Sequence, residues 1–136
     1  MAEKGQGAWM NESRIRVSGR RAMAEAIFAT GVPFGAKKTL PAMMRDLARL
    51  MPATAGVRRW GAAALDLAYV AAGRLDGYWE RELGAWDIAA GIVLVKEAGG
   101  FVEGLRAGQE ALETGALVAA NAELFAPFAK VLRAPE

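Results

Sequence analysis

Apolar positions recur along this chain at two periods, and the period changes at Gly, Pro and Asn. Residues 26–30, Ala-Ile-Phe-Ala-Thr, form a short β-compatible run that stops at Gly31-Val32-Pro33-Phe34-Gly35, which predicts a buried strand ending in a loop. Leu40, Met43, Met44, Leu47, Leu50 and Met51 then recur at helical spacing, with Thr39 placed to cap and Pro41 in the first turn. Residues 57–61 predict a strand and residues 62–72 a helix apolar on nearly every side, buried and closed by Gly73. Tyr78 and Trp79 mark residues 75–80 as a strand, after which Asp87 opens a helix through Ala98 that stops at Gly99-Gly100. Two short strands, 100–102 and 116–120, precede a last helix capped by Asn121 with Leu124, Phe125, Phe128, Val131 and Leu132 on one face. Pro127 argues that this helix begins a turn later than its cap.

Ahead of these elements, residues 5–11 read as a strand or hairpin entering a polar loop, and residues 14–18 alternate as an edge strand. Arg14, Arg16, Arg20 and Arg21 form a basic arm there, either a solvated edge or a phosphate-binding stripe. Alternating strands and helices predict an α/β fold, a layered mixed sheet with helices, in one domain over residues 1–136.

Composition narrows the chemistry. The 136 residues contain no Cys and no His, which excludes disulfides, thiolate nucleophiles and the usual zinc ligands. Catalysis would have to use carboxylates, hydroxyls, backbone dipoles and oxygen-bound hard cations. A net charge of +2 argues against a nucleic-acid partner. No apolar run approaches the roughly 20 residues needed to span a bilayer, and no secretory leader is recognisable, so the expected location is cytoplasmic.

The densest stretch runs from Gly61-Ala62-Ala63 through Asp76-Gly77-Tyr78-Trp79-Glu80 to Trp86-Asp87 and Glu97-Ala98-Gly99-Gly100. It resembles the carboxy-terminal signature of the inositol monophosphatase family, part for part and in order, and the similarity covers essentially the whole chain. The resemblance implies the C-terminal half of an αβαβα sandwich and a Mg2+-dependent phosphoric monoester hydrolase acting on phosphorylated inositol or a related sugar-alcohol phosphate. It implies that Asp87 ligates metal, that Glu80 bonds a hydroxyl of the inositol ring, and that the backbone of Gly61, Ala62 and Ala63 faces substrate. Thr30 and Gly31 would lie at a strand end near the site mouth.

Departures from the pattern are Ala62, where relatives carry Ser or Thr, and Gly84-Ala85 before Trp86, where a bulkier residue and a proline are common. The family's remaining metal ligands come from an upstream Glu and an Asp-Pro-x-Asp-Gly-Thr motif. Asp46, Asp66, Asp76 and Asp87 are the only aspartates, and none precedes Pro. The expectation is therefore an incomplete catalytic set, with weak or absent Mg2+ binding by this chain alone. Its partners would then include the missing N-terminal half or a second copy. The alternative is a noncatalytic interaction module or one piece of a split protein. Judged without the resemblance, Asp87 would be a helix cap, Glu80 a solvated strand-end carboxylate, Trp86 a packing anchor, and Asp66 a locally bonded group or a partner of Arg58 or Arg59.

Overall fold

The computed structural model describes residues 2–31, 39–83 and 85–135, with the side chains of residues 85–87 outside the description. The expected loop after Gly31 lies mostly outside it as well. Strands β1 (Ala2–Glu3), β2 (Gly7–Met10) and β3 (Ser13–Ile15) form a small antiparallel sheet, with β3 on its edge. Asn11 and Glu12 make the hairpin turn at φ 49° and 70°. A 3₁₀ turn, Met23–Glu25, leads into β4 (Ile27–Thr30), α1 (Leu40–Leu50), β5 (Gly56–Arg58), α2 (Ala63–Ala71), β6 (Gly77–Glu80) and α3 (Ala85–Glu97). The chain closes with β7 (Phe101–Glu103), a one-turn α4 (Ala111–Thr114), β8 (Leu117–Ala120) and α5 (Phe125–Arg133).

The larger sheet has the order β5-β4-β6-β8-β7, with β4 parallel to β5 and β6, and β8 antiparallel to both neighbours. Period-two alternation deals its side chains to two cores. Ala29, Tyr78, Leu117 and Ala119 face α2 and α3, while Phe28, Trp79, Val118 and Ala120 face α1 and α5. Sheets buried on both faces need such continuous apolar strands. Phe28 stacks on Phe128 at 4.0 Å between centroids, and Trp79 meets the same ring edge-on at 5.9 Å. The small sheet packs on α3, giving the layer order sheet, helices α2 and α3, sheet, helices α1 and α5. This is the layered α/β architecture expected.

Several local expectations need correction. Helix α3 begins at Ala85, so Asp87 sits within its first turn rather than opening it. Helix α2 buries Asp66, Leu67, Val70 and Ala71, but Ala64 and Leu65 are exposed, so it is covered on one side only. On α1 the buried face is Met43, Asp46 and Leu50; Leu40, Met44 and Met51 are exposed, because the stripe facing the sheet is narrower than the apolar pattern. Thr39 makes no capping side-chain bond. Pro127 falls in the first turn of α5, where its missing N–H costs nothing, while Asn121 Oδ1 accepts from Leu124 N–H in the preceding turn at 2.8 Å.

Arg20 is not part of a free basic arm. Its Nε lies 3.2 Å from Asp76 Oδ2, which also accepts from Ile27 N–H at 2.8 Å, and Ser18 Oγ donates to Asp76 Oδ1 at 2.5 Å. Asn121 Nδ2 donates to Ser18 Oγ and to the Arg20 carbonyl, so the segment between the two sheets is tied down by one buried carboxylate and one buried amide. Asp76→Ala would leave a buried N–H and the Ser18 and Arg20 donors unmatched, and should lower stability by about 2–4 kcal/mol. A urea titration should register this as a lower midpoint with an unchanged slope; a shift worth less than about 0.5 kcal/mol would show that the network is replaceable by water.

Candidate active site

The sheet topology chooses where a site can form. From β4 the chain passes to α1 on one face, and from the adjacent β6 it passes to α3 on the other. Parallel neighbours whose connections leave on opposite faces open a crevice at their carboxyl ends, the usual ligand position in open α/β sheets. Thr30 and Gly31 end β4, and Glu80 ends β6. Helix α2 follows β5, which runs parallel to β4, so the Gly61–Ala63 turn and the start of α3 open at this same edge.

Glu80 is 7% exposed, which corrects the solvated strand-end reading. Tyr78, two residues earlier on the same strand, donates its hydroxyl to Glu80 Oε2 at 2.8 Å. The other oxygen lies against the end of β4, where a Cβ on residue 31 would overlap it, so only glycine admits this placement. Thr30 Oγ1 donates to the Trp79 carbonyl at 2.8 Å, locking the two strand ends together and leaving that hydroxyl committed to structure. On the opposite face Arg81 forms a bidentate pair with Asp46 at 2.7 and 2.8 Å, and Trp79 Nε1 donates to Asp46 Oδ2 at 3.1 Å. Glu80 is thereby held by bonds from residues on both sides of it in sequence.

Gly61 adopts φ +81°, and Ala62 stands at the cap position of α2 in extended conformation with no side-chain acceptor. The first turn therefore presents its N–H groups uncapped, with Gly61 and Ala62 exposed. Such a turn accepts hydroxyl or anionic oxygens. Asp66, in that first turn, pairs with neither Arg58 nor Arg59; its Oδ1 is buried without a partner, and burial pushes its pKa from 3.8 up to about 6. The side chain of Asp87 falls outside the described residues, as does that of Trp86.

Among the described residues no three His, Cys, Asp or Glu side chains come together as a metal group. Magnesium needs near-octahedral oxygen ligation, so the donors described here do not constitute a site for it. Glu97, another residue of the matched stretch, has a structural duty: its Oε1 accepts from Gly7 N–H at 2.8 Å, and the backbone N–H groups of Gly5 and Gly7 hold its carboxyl below the usual range. Gly99 (φ +93°) and Gly100 close α3 by returning N–H bonds to the Lys96 and Val95 carbonyls.

The family model described as "Inositol monophosphatase family" matches residues 1–134. The chain belongs to the inositol monophosphatase family. It is 43% identical over 134 residues to an inositol-1-monophosphatase of Rhizobium meliloti, covering 98% of this chain and 50% of that protein. It is 48% identical over 126 residues to the Nus factor SuhB of Pseudomonas aeruginosa, covering 91% of this chain and 46% of the relative. The crystal structure of the extragenic suppressor protein suhB from Bartonella henselae superposes with a TM-score of 0.93 at 41% identity, over 99% of this chain and 52% of that one. The chain thus spans about half the length of the relatives it matches.

Tyr78 and Arg81, the partners that fix the Glu80 strand end, were missed from sequence. Period-two alternation placed Tyr78 beside Glu80, and a charge at the centre of an otherwise apolar helix face marked Asp46 as needing a buried cation.

Asp66 also predicts a pH effect. Because its folded-state pKa is raised, its contribution is most favourable below about pH 3.8 and is lost as pH rises through about 6. Asp66→Asn should flatten the fall in urea midpoint between pH 5 and 8 and raise stability at pH 8 by on the order of 1 kcal/mol. An unchanged pH slope would mean that Asp66 is charged at no cost in the folded chain.

Proposed function

We propose that this chain is the substrate-orienting half of a phosphoric monoester hydrolase for inositol phosphate or a related sugar-alcohol phosphate. The observation that carries this reading is the buried Glu80 carboxylate, fixed by Tyr78 against Gly31 in the crevice between β4 and β6. A fixed carboxylate discriminates among polyols by accepting from one hydroxyl, since a ligand lacking that hydroxyl leaves a buried acceptor unmatched. The uncapped backbone of Gly61, Ala62 and Ala63 would take a second oxygen of the substrate from the same edge. With Ala62 in place of a hydroxyl residue, that contact is made by main chain alone.

On this reading Asp87 contributes one Mg2+ ligand in the complete enzyme, from the first turn of α3. The other ligands, and the groups that activate water, come from a second polypeptide segment. An apolar groove supports the reading. Trp9, Met10, Ile15, Leu65, Tyr69 and Leu94 line an apolar groove of about 750 Å³ between the small sheet and the uncovered side of α2. Exposed apolar surface of this extent favours association, and a strand added to the small sheet would cover it. The groove equally supports the second reading, a module whose role is to bind a partner; the similarity to a protein named a Nus factor belongs to that reading.

Kinetics in a longer polypeptide that supplies the other half separate the roles. Asp87→Asn should reduce turnover by about 100-fold or more and weaken Mg2+ dependence, whereas Glu80→Gln should chiefly change discrimination among alcohol phosphates. Full activity in Asp87→Asn would remove metal ligation from this helix. Absence of phosphate release from every alcohol phosphate, by a folded and complete protein, would leave the binding-module reading.

A further inference from the structure

A second cavity, of about 400 Å³, lies on the other face of the large sheet from α2 and α3 and is walled by four arginines from four different parts of the chain. Arg45 comes from α1, Arg81 from the exit of β6, Arg106 from the loop after β7, and Arg133 from the last turn of α5. Leu105 and Leu132 supply an apolar wall. Two of the guanidinium groups are fixed in place: Arg81 by Asp46, and Arg133 by Glu103 at 2.9 Å and by the Leu105 and Gly104 carbonyls at 2.7 and 3.0 Å. Arg133 is explained by its position at a helix C-terminus, and Arg81 by its buried carboxylate. Neither duty accounts for Arg106, an exposed loop residue whose guanidinium makes no hydrogen bond or ion pair with a described residue.

We propose that this cavity is an anion site for a small phosphate monoester, its phosphate taken by Arg106 with the guanidinium groups of Arg45, Arg81 and Arg133 around it and its organic part resting on Leu105 and Leu132. Planar guanidinium forks match phosphate oxygens, and holding Arg81 and Arg133 in place beforehand lowers the ordering cost of binding. The volume suits a small metabolite. The site is separate from the Glu80 crevice, yet Arg81 is the residue next to Glu80 and shares Asp46 with the Trp79 indole. Occupancy therefore reaches both the strand end and a buried tryptophan.

Calorimetric titration of the purified chain, in chelator-containing buffer at constant ionic strength, tests this with inorganic phosphate and with phenyl phosphate as probes. Expected results are saturable binding at one site, tighter for phenyl phosphate, and about tenfold or greater weakening by Arg106→Ala and by Arg45→Ala, with Arg106→Lys losing less. Trp79→Phe should remove most of any fluorescence change that accompanies binding. Uptake no greater than that of chloride, or an affinity in both alanine variants equal to that of the unsubstituted chain, would overturn the proposal. So would a short single-stranded RNA that binds more tightly than phenyl phosphate and is lost with the same substitutions, because the surface would then be a nucleic-acid contact.

Discussion

The crevice is set by the parallel pairing of β4 with β6, and a carboxylate oxygen of Glu80 there occupies the volume that a side chain on residue 31 would need. The parallel pairing of β4 with β6 sets Thr30 opposite Trp79, which brings the following residues, Gly31 and Glu80, to the same edge. Tyr78 holds the carboxylate from its own strand, and Arg81 anchors the next residue to α1 through Asp46. Two buried carboxylates flank the strand end, one turned to the crevice and the other to the helix behind it. Each is matched by donors, so the arrangement is fixed before any ligand arrives.

The same fold leaves one side unfinished. The three inner strands of the large sheet, β4, β6 and β8, are covered on both faces by the two helical layers. The small sheet covers α3, but the outer side of α2 looks onto a groove lined by Trp9, Met10, Leu65 and Tyr69. At about 25 cal/mol per Å² of apolar surface removed from water, covering such a groove is a substantial driving force for association. The chain spans about half the length of the relatives it matches, and the open groove lies outside the core that its own two helical layers enclose.

Much of the fold was legible because its elements obey strict periods. Residues 26–29 and 116–120 are apolar at every position, as buried strands are, and each run supplies a strand of the large sheet. Pro127 correctly delayed the last helix. The pattern misled where an apolar residue had no partner in this chain: Leu65 on α2 and Met44 on α1 read as core and are exposed. It was silent where charge is satisfied at a distance in sequence, as in Arg20 with Asp76 and Arg81 with Asp46, pairs that no local period discloses. For the candidate site, the family resemblance supplied Glu80, Asp87 and the Gly61–Ala63 turn, and the residues themselves carried little signal. Glu80 looked like a solvated strand end because its donor is a tyrosine on its own strand and its wall is the absent side chain of Gly31.

The crevice is preformed by bonds within this chain, and we propose that magnesium and turnover need further residues beyond it. Magnesium titration by calorimetry, run together with release of phosphate from inositol monophosphate, tests it on the purified 136-residue protein with and without a separately produced polypeptide carrying the other half of the family fold. Weak, nonspecific magnesium affinity and no turnover are expected of the chain alone, with tight binding and turnover both appearing when the second polypeptide is added. Robust magnesium-dependent turnover by the chain alone would contradict it.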